Sequence, residues 1–377
     1  MSKWEEKKFK EFIKLNRGFD LPNDKMKFGN YPVVASTNIK GYHISYKVTA
    51  PVVVTGRSGS LGAVQYIDKN CTPLNTTLYV KDFKGNFPRF VYYYLKTMRL
   101  DTFNSGAGVP TLNQNHLHSM KINIPDLPTQ ERIADILSAY DDLIEANNRR
   151  IELLEQAAQD LYKEWFVRFR FPEHEKAKFE NGLPEGWSVK RMNEFCYVTD
   201  GTHDTPKQIE TGIPLVTGRC ISNGFVDFNA AYNISKEDHE GIKKRSGLKS
   251  GDILFSNIGT VGNSCIVDYN REFSVKNVII FKPKTMRDTA YLYYWMTSSI
   301  MQEIFATQTN GASQQFVGLT FMRRYKLLVP QDDILDMFAE KVLSFIEQKR
   351  ILHQNNLSLA AQRDLLLPRL MSGKLEV

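Results

Sequence analysis

The chain has 377 residues, of which 42% are hydrophobic, 12% aromatic and 24% charged. This composition is typical of a folded protein of two or three domains, and it excludes a disordered chain or a small disulfide-stapled module. The net charge is +7, the four cysteines form no CxxC motif, and the N-terminus is charged where a signal peptide is apolar. We therefore expect a reduced, cytoplasmic protein with no membrane span.

Basic charge is concentrated in two blocks. Residues 1–127 carry 18 basic and 9 acidic side chains, and residues 181–330 carry 17 and 14. The segments 128–180 and 331–377 are slightly acidic. This alternation suggests two units that face a polyanion, joined by segments that need not touch it.

An internal repeat divides the chain in the same way. The repeated pairs are Gly59–Gly62 with Gly259–Gly262, Tyr92–Leu95 with Tyr293–Met296, Gly106 with Gly311, and Pro125 with Pro330. In each half a strand-like stretch closed by proline is followed by a long helical pattern. The order is therefore domain, helix, domain, helix, with target-facing domains at 1–127 and 181–330.

Both domains show an α+β pattern, in which β-branched and aromatic stretches alternate with Gly and Asn turns. Two short buried helices are predicted at Tyr92–Thr97 and Tyr291–Met301. The predicted strands, in chain order, are Pro51–Thr55, Thr77–Val80, Met120–Pro125, Gly251–Phe255, Asn277–Phe281 and Tyr325–Pro330.

Each domain is followed by a heptad pattern that predicts a long helix. The first covers 128–172, with Thr129 as a possible N-cap and Pro172 as its end; the second lies within 331–377 and ends at Pro368. The first seam is Ile133, Leu137, Tyr140, Ile144, Asn147, Ile151, Leu154, Ala158, Leu161 and Trp165. The second is Leu335, Phe338, Val342, Phe345, Lys349, Leu352, Asn356, Leu359, Arg363 and Leu366.

A helix with one apolar stripe needs a partner, and the simplest partner for each of these helices is the other. Connectivity then makes them an antiparallel coiled coil with approximate two-fold symmetry inside one chain. Asn147 and Asn356 on the two seams would fix the register. The alternative is two separate coiled coils that each bind another protein.

Motifs for catalysis are absent from the sequence. It has no Gly-rich methyltransferase cofactor loop, no Asn- or Asp-Pro-Pro-aromatic motif, no GxxxxGK[ST] loop, no HExxH and no metal-nuclease carboxylate pattern. The glycine loops at 56–62 and 259–262 lack a phosphate-binding lysine and are interpreted as turns. His116 and His118 are interpreted as a surface pair rather than a metal site.

Binding residues are therefore the candidates for function. Arg pairs with guanine and Asn or Gln with adenine, whereas clustered Lys and Arg suit phosphates. The base-reading candidates are Arg57, Ser58, Thr111, Asn113, Gln114, Asn115, His203, Asp204, Thr205, Arg219, Asn257, Gln314 and Gln315. The phosphate candidates are Lys243, Lys244, Arg245, Arg323 and Arg324.

Several motifs resemble the specificity subunit of type I restriction-modification enzymes over essentially the whole chain. They are Leu127-Pro128 leading into Gln130–Ala134, the helix end Leu161–Val167, the GLPEGW motif at 182–187 and the close Arg363–Lys374. The first domain opens without a matching GLPEGW.

The resemblance implies two target-recognition domains that each read half of a split double-stranded DNA sequence, with the paired helices setting the gap. It implies a subunit without catalysis of its own and with no cofactor on this chain. Its partners would be two modification subunits with S-adenosylmethionine and restriction subunits that use ATP and Mg. Two other classes stay open: a coiled-coil scaffold whose domains bind protein or carbohydrate, and a self-sufficient nuclease or methylase.

Overall fold

The computed structural model describes residues 4–105, 108–268, 271–309 and 316–377. It divides into two compact units. Unit 1 comprises Met1–Asn148 and His353–Val377, and unit 2 comprises Arg149–Leu352. Each unit thus contains one α+β domain and part of each of two long helices.

Among its described residues, unit 1 has three small sheets and, before the long helix, three short α-helices. In chain order its elements are β1 (Trp4–Lys8), α1 (Phe9–Phe12), β2 (Lys14–Arg17), β3 (Tyr31–Val34), β4 (Ile39–His43), β5 (Val52–Gly56), β6 (Val64–Ile67), β7 (Thr72–Pro73), β8 (Thr77–Asp82), α2 (Pro88–Thr97), α3 (Gln114–Ser119) and β9 (Lys121–Pro125), followed by the long helix α4 (Leu127–Tyr162). The sheets have the orders β2-β8-β5-β6, β4-β3-β7 and β1-β9. The all-buried strand β5 lies at the centre of the core.

Unit 2 repeats this arrangement with insertions. Its elements are β10 (Phe179–Glu180), β11 (Leu183–Pro184), β12 (Ser188–Arg191), α5 (Met192–Phe195), β13 (Tyr197–Asp200), β14 (Ile213–Thr217), β15 (Ile221–Ser222), β16 (Phe225–Val226), β17 (Tyr232–Ile234), α6 (Lys236–Ser246), β18 (Ile253–Ser256), β19 (Ser264–Ile266), β20 (Ser274–Lys276), β21 (Val278–Lys282), α7 (Met286–Thr297), α8 (Ser299–Thr309), α9 (Leu319–Arg324) and β22 (Lys326–Val329), followed by the long helix α10 (Asp332–Met371). The sheets β13-β21-β18-β19, β17-β14-β20 and β12-β22 match those of unit 1, and the hairpins β10-β11 and β15-β16 are additional.

The matched sheets confirm the internal repeat. The glycine loops join β5 to β6 and β18 to β19, and their glycines adopt positive φ values: 84° at Gly59, 92° at Gly62, 75° at Gly259 and 100° at Gly262. Side chains rarely tolerate this conformation, which explains why the same glycines recur. The repeated pair Gly106 and Gly311 lies outside the described residues.

The six predicted strands are present, with ends that differ by up to two residues. The single helix predicted at Tyr291–Met301 is wrong, because α7 ends at Thr297 and α8 begins at Ser299. Ser298 is extended; its hydroxyl donates to the Trp295 carbonyl at 2.7 Å and accepts from the Met301 amide at 3.4 Å. The serine thus caps the second helix and separates it from the first.

Helix α4 begins and ends at residues other than those predicted. Asp126, not Thr129, is the N-cap, since its carboxylate accepts from the Thr129 amide at 3.1 Å. Hydrogen bonds from Thr129 hold the pKa of Asp126 below its usual value. At its other end the helix continues as one π turn over Lys163–Val167 and stops before Pro172. Phe169 has a φ of 58°, which no right-handed helix accommodates.

Helix α10 does not end at Pro368 as predicted; it runs through this residue to Met371. A proline inside a helix removes one hydrogen bond. Leu367, Leu370 and Met371 are buried in the core of unit 1, and this packing holds the last turn in helical form.

In unit 1 the two long helices pair in opposite directions. Arg363 forms an ion pair with Asp141, and Asn147 Nδ2 donates to Asn356 Oδ1 at 2.9 Å. Numbers rise along α4 as they fall along α10, which confirms the antiparallel pairing predicted from connectivity.

Unit 2 shows the same direction of pairing. Lys349 forms an ion pair with Glu155, and the rings of Tyr162 and Phe338 lie 6.3 Å apart. Every residue of both predicted seams is buried or half-buried. The heptad pattern therefore identified the packed faces correctly.

All four cysteines are free and buried. Burial raises the pKa of the Cys71 and Cys196 thiols to about 12. Among the described residues, no helix combines the length and the apolar character needed to cross a membrane.

Candidate nucleic-acid interface

The first group of candidates comes together in unit 1. The loop after β5 pairs with the segment before α3 through a bridge between Ser58 and Thr111. The Leu112 amide donates to the Arg57 carbonyl at 2.8 Å, and the Gly59 amide donates to the Pro110 carbonyl at 2.9 Å. Residues 57–59 and 110–112, which are far apart in sequence, thus form one polar edge of unit 1.

A cleft of about 340 Å³ lies along this edge. Its lining residues are Arg17, Arg57, Leu78, Ser105, Thr111, Leu112, Asn113, Gln114 and Asn115. Asn113 caps α3 by accepting from the Asn115 amide at 2.9 Å. The Gln114 side-chain oxygen is buried and has no hydrogen-bond partner among the described residues. Sequence reasoning missed Arg17, because β2 is too short to be recognised.

In unit 2 a second polar cluster surrounds Asp200 at the end of β13. The buried Asp200 carboxylate accepts from Arg245 and lies 2.9 Å from His203 Nε2. The other ring nitrogen of His203 lies 3.0 Å from Asn277 Oδ1. The candidates His203 and Arg245 are therefore held by residues that sequence reasoning missed.

Two further candidates lie in the same loop as His203. Lys276 Nζ donates to the hydroxyl of Thr205. The Asp204 amide donates to the Thr202 hydroxyl at 3.1 Å. The first contact ties the loop after β13 to β20, and the second lies within the loop.

The two clusters occupy equivalent positions of the repeat. The Gly18 amide donates to the Thr77 carbonyl, and the Gly201 amide to the Val278 carbonyl, both at 3.0 Å. The residue before each glycine is Arg17 in unit 1 and Asp200 in unit 2.

The residues next to these two positions also correspond in the two units but differ in their side chains. Asn75 donates to Asp20 in unit 1, where unit 2 has the contact between Asn277 and His203. In unit 1 the Arg57 carbonyl accepts from the Leu112 amide before α3. In unit 2 the Asn257 carbonyl accepts from the Val317 amide before α9, at 2.9 Å. The same backbone position therefore carries Arg17 in unit 1 and, in unit 2, Asp200, whose carboxylate is buried and paired with Arg245.

The side chains of two candidates, Asn257 and Arg323, form hydrogen bonds with backbone carbonyls of unit 2. Asn257 is buried, and its side-chain Nδ2 donates to the Val317 carbonyl at 3.3 Å. Arg323 donates twice to the Val198 carbonyl, at 3.0 and 2.8 Å. Arg219 and Arg324 are exposed. Gln314 and Gln315 lie outside the described residues.

The three basic residues at the end of α6 differ in their surroundings. Lys243 forms an ion pair with Glu272 at 2.6 Å, which raises the pKa of the lysine. Arg245 is bound to Asp200. Lys244 is exposed and has no ion pair with a described residue.

The histidine pair has separate environments. His118 is half-buried, and its Nε2 accepts from the Leu15 amide at 3.2 Å; burial and nearby Lys14 lower its pKa. His116 is exposed and packs against Phe103. Within the described parts of the chain, no three His, Cys, Asp or Glu side chains are arranged to hold a metal ion.

Comparison with known proteins identifies the class. The family model described as "Type I restriction modification DNA specificity domain" matches residues 1–156 and 184–356. The chain belongs to this family, whose description names DNA specificity.

Relatives and a solved structure agree. The chain is 24% identical to the type I restriction enzyme MjaIX specificity subunit of Methanocaldococcus jannaschii, with 99% of this chain and 94% of that protein covered. It is 23% identical to the HindI specificity subunit of Haemophilus influenzae, over 71% of each protein. The crystal structure of the type I restriction-modification S subunit from M. genitalium has a TM-score of 0.61 at 16% identity, covering 98% of this chain and 96% of that one. This last likeness confirms the fold.

Proposed function

We propose that each unit reads one half of a bipartite double-stranded DNA target, and that the chain directs partner subunits to that target. The observation that supports this most is the pair of equivalent sites with different chemistry. Arg17 and Arg57 line the cleft of unit 1, whereas the equivalent positions of unit 2 hold the buried Asn257 and the buried Asp200, which binds Arg245 and His203. A common scaffold with exchanged polar residues is what two readers of different sequences require.

The residue types indicate what each unit reads. Arginine donates two hydrogen bonds to guanine O6 and N7, and glutamine pairs with adenine. The cleft of unit 1 contains Arg17, Arg57 and Gln114, which favours purines. Lys244 and Arg324 are exposed cations of unit 2 and suit phosphates, which position the protein without specifying sequence, and Arg219 is an exposed base-reading candidate.

The partners follow from the family. We expect two modification subunits that bind S-adenosylmethionine, and restriction subunits that use ATP and Mg, with no cofactor on this chain. The long helices are proposed to set the number of base pairs between the two half-sites. The complex is expected to act in the cytoplasm.

The decisive experiment exchanges residues 1–127 for the corresponding domain of a relative and maps methylated sites by sequencing. We expect one half of the methylated sequence to change while the other half is retained. The reciprocal exchange of residues 181–330 is the matched control and should change the other half only. If either exchange alters both halves, the units are not independent readers.

Salt dependence separates DNA recognition from a scaffold that binds protein or carbohydrate. Each phosphate contact releases counterions, so the logarithm of DNA affinity falls linearly with the logarithm of salt concentration, by about 0.9 per contact. We expect this steep dependence for the full chain. A chain without measurable DNA affinity at low salt would favour the scaffold.

A further inference from the structure

Large apolar side chains are exposed along one segment of unit 1, residues 25–47, which contains β3 and β4. Phe28 is 93% exposed. Ile39, Tyr42, Ile44 and Tyr46 are also exposed. Five exposed large apolar side chains in one short segment exceed the scattered single exposures that are normal for a folded protein, and this indicates a binding segment. None of the candidates from the sequence lies in this segment.

Phe28 is exposed on an anchored loop. The amide of the preceding Lys27 donates to His43 Nδ1 at 3.0 Å. The following Gly29 packs so closely on β4 that a Cβ atom there would overlap the His43 carbonyl oxygen. The phenyl ring is thus presented to solvent by a backbone fixed on both sides, which reduces the entropy lost on binding.

The same segment is purely basic. It contains Lys25, Lys27, Lys40 and Lys47 and no acidic residue. All four lysines are exposed, and none forms an ion pair with a residue that the structure describes. Lysine is depleted in protein–protein interfaces, whereas unpaired lysines in the same segment as exposed aromatic rings complement a polyanion with stackable bases.

Unit 2 lacks this surface. Its equivalent region, from Gly201 to Ser235, has no large apolar side chain that is exposed to a comparable degree. That region carries Asp204, Glu210 and Asp227, whereas the corresponding part of unit 1 carries Asp20 and Asp24 before Lys25 and no acidic residue from there to Lys47. The fold of the sheet therefore does not require exposed aromatic residues, and their presence in unit 1 calls for a separate role.

We propose that residues 25–47, here named the lysine–aromatic surface, bind duplex DNA, with the lysines on phosphates and Phe28 inserted against the base stack. Apolar side chains placed in this way open a base step and kink the duplex. The inference rests on the proposed DNA recognition and adds a contact that deforms the target in one half-site only.

The test uses the full chain with its modification subunits and a duplex that carries the methylated site of the host. 2-Aminopurine replaces one base at a time, because its fluorescence rises when a base step opens. We expect one position in the unit 1 half to brighten with the wild-type protein and not with Phe28→Ala. We also expect this variant to bind at least about fivefold more weakly, at an unchanged salt slope.

Two matched variants complete the design. Phe179→Ala removes an exposed ring of unit 2 and should change neither signal. Lys25→Gln with Lys27→Gln should weaken binding and lower the salt slope by about two. Because Phe28 is almost fully exposed, its replacement leaves no cavity, and an unchanged Tm shows that the variant is folded.

The outcomes are distinct. If wild-type protein binds the duplex but Phe28→Ala binds equally well, this inference is overturned while DNA recognition stands. If Phe28→Ala instead weakens assembly with the modification subunits and leaves DNA affinity intact, the surface is a protein interface and the inference is wrong. If wild-type complex shows no salt-dependent DNA binding, the proposed function itself fails.

Discussion

Asn147 and Asn356 belong to a chain of side-chain amide hydrogen bonds inside the paired helices of unit 1. Besides their mutual hydrogen bond, Asn356 Nδ2 donates to Asn148 Oδ1 at 2.8 Å. Both seam asparagines are buried. A buried amide is tolerated only when it is paired, so each asparagine depends on the other.

We predict that Asn356→Leu alone lowers the free energy of unfolding by about 1–3 kcal/mol, because Asn147 is left without its acceptor. The double variant Asn147→Leu with Asn356→Leu should recover this loss, since both polar partners are removed. Urea unfolding of the three proteins measures the difference. A double variant less stable than the single one would contradict the pairing.

Arg57 provides the corresponding prediction for recognition. Arg57→Ala should cost about 1–3 kcal/mol of specific binding and relax the preference at one base of the unit 1 half-site. Affinity measured on duplexes with each base substituted in turn would detect it. Arg132→Ala, which removes an exposed arginine on α4, is the control. A uniform loss on all sequences would make Arg57 a phosphate contact instead.

At the scale of elements, the paired helices are the part that geometry constrains most. Seven residues inserted after Asn147 and seven near Asn356 keep both seams in phase. The helices lengthen by about 10 Å, equivalent to roughly three base pairs, with about 100° of added rotation. We predict that the extended protein directs the partner subunits to methylate a site whose gap is longer by two or three base pairs. This methylation should be weaker than that of the original site with the wild-type protein.

The control for this variant is the original site. If the extended protein folds, as checked by circular dichroism, yet methylates only the original spacing, the helices do not set the gap. The partner subunits would then position the two domains.

The long helices could be predicted from sequence because an apolar period of seven residues, sustained over many turns, is typical of paired helices and of little else. Their ends could not, since they depend on tertiary contacts. Pro368 stays helical because Leu370 and Met371 are buried, and Phe169 stops α4 through a backbone angle that no pattern reveals. Ser298 breaks a helix whose apolar pattern is continuous.

The candidate site was predicted in part for similar reasons. Arg57 and Thr111 are recognisable as polar residues on glycine-rich loops. Arg17 and Asp200 are not, because each ends a four-residue strand and reaches its site through sheet pairing. Asn257 and Arg323 have the composition of binding residues, but the fold uses both in contacts that only coordinates reveal.

For the whole molecule, we predict that the isolated chain does not methylate or cleave DNA and does not hydrolyse ATP. The reason is the absence from the sequence of a cofactor loop and a phosphate cradle. Incubation of the pure chain with DNA, Mg, ATP and S-adenosylmethionine is the measurement. Turnover that persists through purification would identify a self-sufficient enzyme.

Because each unit contains at least one buried cysteine, the rate at which its thiols react measures how often that unit opens. Cys71 belongs to unit 1, and Cys196, Cys220 and Cys265 belong to unit 2. A thiol reacts as its thiolate, so burial and the raised pKa of Cys71 and Cys196 protect them until the surrounding core opens. Alkylation followed by peptide mass spectrometry therefore reports the opening of each unit separately, in one unmodified chain. Bound target DNA should slow alkylation in both units, and DNA carrying only one half-site should slow it chiefly in the unit that reads that half.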